Sequence, residues 1–314
     1  GMKYSMELAY ELGYTNGKNN QSTDNYSPLS QKYDEIVDTL TNDFTQNIIV
    51  NKPSVRFNYA GKKLKYNFGM GFGFTHFDLV DNSLNKDYIR NFTNFFPVAT
   101  LNYNYKSQAN LRFNYNGYTQ QPSINQLQPL RNNNDFFNQY IGNPNLKPAF
   151  TNSFNLSHNS YNFIADRWMY QSINLRLTSN AINNNRVYDE VTGKTTTQPI
   201  NTNGNMSIGF WSGLGFKAKK LDMRFNVSPH VNYSKNADVI NSQVTYSKTL
   251  GAGLGLYLSK SKDKKYDVSI SNDFNYNSNT NTQASRKQHY NINNLSADVT
   301  VYIFKTFSIN TDYN

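Results

Sequence analysis

Residues 64–74 read LKYNFGMGFGF, and whether this stretch is strand or helix decides the fold. Even positions carry Leu64, Tyr66, Phe68, Met70, Phe72 and Phe74; odd positions carry Lys65, Asn67, Gly69, Gly71 and Gly73. A period of two gathers every large apolar side chain on one face of a strand, whereas a helix would scatter them. Residues 221–233 repeat the pattern, with Leu221, Met223, Phe225, Val227, Pro229, Val231 and Tyr233 set against Asp222, Arg224, Asn226, Ser228, His230 and Asn232. So do residues 266–276, where Asn272 is the one exception.

Similar runs cover roughly 4–14, 55–59, 98–105, 111–118, 154–163, 168–178, 206–216, 244–258 and 295–303, and a last one starts near 307. This predicts about 13 strands, many of them 10 to 14 residues long. That is about twice the usual length in soluble sheets and enough for a tilted strand to cross a bilayer.

The connections sort by parity. Short ones (about 60–63, 106–110, 164–167, 218–220, 261–265 and 304–306) alternate with mostly longer, polar ones (about 16–44, 80–94, 119–151, 180–203, 234–240 and 277–290). Short turns at one end and long loops at the other predict an all-β, antiparallel, up-and-down transmembrane barrel, with short periplasmic turns and long extracellular loops. Within the first long connection, YDEIVDTLTNDF spaces Ile36, Val37 and Leu40 as one helical turn would.

Composition fits a surface coated with rings better than an aliphatic core. The 314 residues include Tyr 24 and Phe 21 but Trp 2, with 17% charged residues. No apolar run is long enough for a helical span, and mean hydropathy is −0.72; neither observation bears on strands that show alternate residues to lipid. Gly1 before Met2 reads as an expression scar. With no cysteine, disulfides, zinc–thiolate sites and cysteine nucleophiles are excluded.

Net charge is +10, but many lysines sit in the short turns AGKKLK, NYKSQ, FKAKKL, SKSKDKKY and IFKTF. That placement suits a lipid headgroup rim or solvated tips and argues against nucleic acid. No catalytic constellation, cofactor motif or metal-ligand spacing is present. His76, His158, His230 and His289 are far apart, and Asp189 with Glu190 falls in a polar loop.

Two features single out residues. Gly69, Gly71 and Gly73, Gly209, Gly213 and Gly215, and Gly251, Gly253 and Gly255 all lie opposite the large apolar side chains. On a barrel they face the lumen, where they permit either strong curvature or close approach by another body. The second is the stretch PSINQLQPLRNNNDFFNQYIGNPNLKPAF, with Pro122, Gly142, Asn143, Pro144, Leu146 and Pro148. Its prolines forbid regular strand pairing until Phe150, and Asn143 and Asn145 suit tight turns.

PSINQLQP followed by an Asn-rich linker and IGNPNLKP, each flanked by a strand, resembles the barrel of TonB-dependent outer-membrane receptors, and more closely the outer-membrane β-barrel family of Bacteroidetes. TLTNDFTQNIIVNKPSVRFNYAGKKLKYNFGMGFGF and FFPVATLNYNYKSQANLRFNYNGYTQQPSINQLQP carry the same resemblance. It implies outer-membrane lipid as surroundings, a barrel of about 22 strands, an N-terminal plug domain and a TonB-type energy coupler. It also implies uptake of a ligand such as a metal chelate, glycan or peptide. The expectation is that residues 1–314 hold neither plug, TonB box nor signal peptide and that FSINTDYN stops inside a strand. The expectation is therefore a single barrel-domain fragment, 1–314, of a longer receptor. The rival reading is a soluble or cell-surface β-rich protein that binds glycan or protein, with shorter strands.

Overall fold

A computed structural model describes residues 3–37, 41–82, 85–128, 131–132, 135, 137–282, 287–303 and 307–313. Its strands are β1 (Lys3–Gln21), β2 (Asp24–Ser27), β3 (Lys32–Ile36), β4 (Asn42–Ala60), β5 (Leu64–Asp81), β6 (Lys86–Lys106) and β7 (Ala109–Gln120). The four-residue helix α1 (Ile124–Leu127) precedes β8 (Arg131–Asn132), β9 (Asn138–Ile141), β10 (Ala149–Asn162), β11 (Arg167–Ser179), β12 (Ala181–Tyr188) and β13 (Thr195–Thr202). The chain continues through β14 (Asn205–Ala218), β15 (Met223–Ile240), β16 (Gln243–Lys262), β17 (Tyr266–Asn281), β18 (Gln288–Ile303) and β19 (Phe307–Tyr313).

Thirteen strands form one antiparallel wall in the order β1-β4-β5-β6-β7-β10-β11-β14-β15-β16-β17-β18-β19. Each strand pairs with its neighbours in the chain once the inserted hairpins are set aside, as an up-and-down barrel wall requires. Among the described residues no ladder joins β1 to β19.

Several long connections turn out to be strand. β5 and β6 stay paired out to Asp81↔Lys86, so most of 80–94 is ladder rather than loop. β15 and β16 pair to Ile240↔Gln243, and only Asn241 and Ser242, both at positive φ (49° and 63°), make the turn. A two-residue hairpin of that handedness matches the twist of its strands, so nothing forces the pairing to stop earlier. β17 likewise runs to Asn281 within the expected 277–290 loop. Of the remaining three insertions, 16–44 and 180–203 carry the hairpins β2–β3 and β12–β13, and 119–151 carries α1, β8 and β9. The helical turn expected at Ile36, Val37 and Leu40 is not formed: Ile36 ends strand β3, and Leu40 lies outside the described residues. Tyr33 and Ile36 stay exposed, so the helical spacing had no surface to bury against.

Strand length excludes the soluble alternative's short strands, since β6 has 21 residues and β16 has 20. Along β5, Phe68, Met70, Phe72 and Phe74 are 52%, 45%, 42% and 48% exposed on one face, while Gly71 and Gly73 are buried on the other. Tyr4, Tyr59 and Tyr66 lie side by side at the short-turn end of the apolar face, with ring centroids 5.0 and 4.9 Å apart. Such a row of rings marks a membrane–water boundary.

At Thr75 the apolar side changes while the β5–β6 register runs on unbroken. His76 is exposed on the formerly apolar face, and Phe77 and Leu79 are 2% and 0% exposed on the formerly polar one. Below this level the apolar residues face outward to lipid; above it they face inward and build a core. That core contains Phe44, Phe77, Leu79, Leu127 and Leu146, with Ile48, Tyr88, Phe92 and Ile182 packed around it.

Candidate functional site

The inner face and the loop that closes on it at the long-loop end form the candidate site. The segment 121–148 leaves β7, makes α1 and β9, and returns to β10 with Pro122, Gly142, Leu146 and Pro148 buried. Gly142 is glycine for a specific reason: a Cβ there would run into the backbone of Gln128, with its C and N atoms both 2.8 Å away. The two limbs of the loop therefore touch backbone to backbone, and Asn143 N–H donates to the Gln126 carbonyl at 2.7 Å.

From that contact the motif reaches three other elements. Asn143 Oδ1 accepts from the Asn145 N–H at 2.9 Å, closing an Asx turn around Pro144. Asn143 Nδ2 donates to the Pro199 carbonyl of β13 at 3.0 Å. Asn145 Oδ1 accepts from Arg90 of β6 at 3.0 Å. Asn201 of β13 brackets Lys147, accepting from its N–H at 2.7 Å and donating to its carbonyl at 2.8 Å. Leu146 inserts into the core between these bonds, 1% exposed. The motif is a clasp that ties the inward loop to the wall and to the β12–β13 hairpin.

That hairpin is anchored in turn. β12 adds two parallel pairs to the end of β15, and Arg186 donates to both carboxylate oxygens of Asp238 at 2.9 and 3.0 Å. β13 pairs in parallel with β9, and Asn19 of β1 donates to Gln128 at 3.0 Å. At the hairpin tip the Asp189 carboxylate accepts from the Thr192 hydroxyl at 2.7 Å and from the N–H groups of Val191 and Thr192. Led by the hydroxyl bond, these donors hold its pKa below the ordinary carboxylate value. Its job there is a turn.

Below the clasp, the glycine strips receive this chain's own side chains. A Cβ on Gly73 would lie 2.5 Å from the Phe96 ring, and one on Gly213 would lie 2.8 Å from the Trp168 indole. Gly215 also lies under Trp168, and Gly253 under the His230 imidazole. Gly209, Gly255 and Gly251 face Asn232, Asp273 and Asn277 respectively. Gly69 instead approaches backbone, with the Val55 carbonyl 2.5 Å from its Cβ position, and Gly71 approaches Ser54 at 3.3 Å. Trp211 meets Tyr170 at 5.1 Å between centroids on the same face.

Two concave spaces open on this face. One of about 550 Å³ is lined by Glu7, Glu11, Lys52, Arg56, Asn116 and Tyr118. Its charges are paired across β1 and β4, Lys52 with Glu11 at 3.3 Å and Arg56 with Glu7 at 3.8 Å. The other, about 440 Å³, is lined by neutral polar groups such as Asn174, Asn232, Asn277 and Thr249, and by Arg176. The alternation that exposed the glycines in the sequence also exposed these amides, but the convergence of this lining from six strands, β10, β11 and β14 to β17, was not visible in it.

The remaining candidate residues stay apart. His76 bonds Asn91 at 2.9 Å, His158 bonds the Tyr105 hydroxyl at 2.6 Å, and His289 lies exposed on β18. Among the described residues no three His, Cys, Asp or Glu side chains are grouped to hold a metal ion.

No curated protein matches the chain. Among solved structures it is similar to the siderophore receptor PirA from Acinetobacter baumannii, with a TM-score of 0.45 and 11% identity over 98% of this chain and 55% of that one. It is similar also to the siderophore receptor PirA from Pseudomonas aeruginosa, with a TM-score of 0.43 and 11% identity over 99% of this chain and 65% of that one. The chain thus spans between about half and two thirds of the length of those receptors. Residues 2–314 match the model of the outer membrane protein beta-barrel family, and the chain belongs to that family, as a β-barrel protein of the outer membrane.

Proposed function

We propose that this chain is the barrel segment of a TonB-dependent-type receptor, which takes up a ligand through a plug-gated lumen and catalyses no reaction. The observation that carries the reading is the pairing of a polar, amide-rich inner face with an inward loop clasped over its outer end. A general diffusion pore needs an open water path, whereas here the long-loop end is narrowed by a packed core of Phe44, Phe77, Leu79, Leu127 and Leu146. The order of PSINQLQP and IGNPNLKP supports the same reading through its resemblance to such receptors. In this reading the extracellular hairpins capture ligand, the inner-face amides offer hydrogen bonds along the path, and a plug domain linked to a TonB-type coupler gates it. The ligand class is a small chelate, glycan or peptide, and the source lies among the Bacteroidetes.

Cells lacking the whole gene, compared with complemented cells, test the reading when supplied with radio-iron chelates, fluorescent oligosaccharides or labelled peptides. One class should accumulate only in complemented cells, and a protonophore should abolish that accumulation. Uptake that is independent of the gene for all three classes, or that survives the protonophore, overturns it.

A further inference from the structure

The short-turn end carries a site on the outer, lipid-facing side of the wall. A single row of paired residues crosses six strands there: Lys106↔Ala109↔Ser160↔Met169↔Leu214↔Val227. Lys106 joins this row because the register of β6 shifts between Asn104 and Lys106. Without that bulge it would point to the inner face, as Asn104 does; re-aiming a side chain is what such bulges do.

The row has the profile of a receptacle. Ala109 and Ser160 are small, so the surface dips between the lysine and the apolar wall of Met169, Leu214 and Val227. The resulting concavity has a volume of about 750 Å³. The turn 163–166 overhangs it, fixed by Lys219 Nζ donating to the Ile164 carbonyl at 3.1 Å, and presents Phe163 and Ile164 at 78% and 84% exposure. One row nearer the rim, Arg167 pairs with Phe216, which stacks on Phe225 at 5.3 Å. Arg167 and Lys106 are exposed and have no carboxylate within ion-pair distance among the described residues; the adjacent Asp166 is engaged by Arg224 at 3.8 Å.

Two free cations at the membrane boundary, above an apolar slot that faces lipid, match one ligand chemistry: a phosphodiester headgroup on acyl chains. We propose that this concavity binds an anionic glycerophospholipid of the periplasmic leaflet. Arg167 and Lys106 hold the phosphate, and an acyl chain lies along Met169, Leu214 and Val227. The leaflet follows from the short turns, which outer-membrane barrels keep on the periplasmic side. The site is independent of what the lumen transports.

Native mass spectrometry of the full chain in detergent tests this, with equimolar phosphatidylglycerol and phosphatidylcholine of identical acyl chains. Phosphatidylglycerol should be retained preferentially. Lys106→Gln and Arg167→Gln should each lower its retention by about five-fold and leave phosphatidylcholine unchanged. Ser160→Leu should fill the dip and lower retention of both lipids. Glycerol 3-phosphate should not compete; competition as effective as the lipid's would mean a free-phosphate site and overturn the assignment. Equal retention of the two lipids by the unaltered protein, a measurement needing no variant, overturns the proposal. So does unchanged preference in the doubly substituted chain when its heat-modifiable migration shows a folded wall.

Discussion

Arg90 of β6 donates to the Asn145 side chain at 3.0 Å, and this one bond joins the barrel wall to the tip of a loop 55 residues further along the chain. It lies over Leu146, which is 1% exposed. The polar bond sets the position of the tip, and the apolar side chain supplies most of the free energy.

That division predicts unequal effects at the clasp. Arg90→Ala should weaken it by about 1 kcal/mol, a typical net value for one hydrogen bond. Limited proteolysis should then cut faster between residues 121 and 148 while the wall stays intact. Unchanged cleavage would remove the bond from the account.

Leu146→Ala should cost about 2–5 kcal/mol, because it empties a filled core site. Gly142→Ala should be comparably disruptive, since the added methyl meets the Gln128 backbone and not a movable side chain. Hydrogen exchange at the Asn143 amide, bonded to Gln126 at 2.7 Å, reports both. Full protection in the glycine variant would contradict the backbone contact.

On the inner face, two glycines separate by what lies above them. Gly215→Val should displace the Trp168 indole and shift tryptophan emission, which arises from Trp168 and Trp211 alone. Gly251→Ala should be tolerated within about 0.5 kcal/mol, because its nearest neighbour, Asn277 Oδ1, is 3.4 Å away. Equal emission shifts in the two variants would count against the seating of Trp168.

The hairpin tip at Asp189 should be pH-dependent in one direction. Donors to its carboxylate lower its pKa below the ordinary 3.8, so the ordered tip is favoured above that value and lost as pH falls through the lowered one. Amide chemical shifts of Val191 and Thr192 should titrate together below pH 3.8, and Asp189→Ala should abolish the transition. A midpoint above 3.8 would refute the assignment.

Much of the wall was legible because a strand between lipid and water repeats every two residues. The run 64–74 shows this without help from any other part of the chain, and so do 221–233 and 266–276. The alternation misled where its phase changed. After Phe74 the apolar positions shift to Phe77 and Leu79, which read as the end of a strand although the ladder continues to Asp81. At the candidate site, the prolines and Gly142 marked an irregular loop, but nothing local could show that it folds inward.

The all-β wall, its strand count, the parity of its turns and the lipid-facing side of runs such as 64–74 were legible in the residues alone, because each follows from near-neighbour spacing along the chain. That the long-loop end is extended hairpins around a packed core, with GNPNLKP as the clasp on it, depends on contacts made in the folded wall. The partners of that clasp outside its own loop, Arg90, Pro199 and Asn201, come from distant parts of the chain, and their bonds to it exist only after the strands have been set side by side.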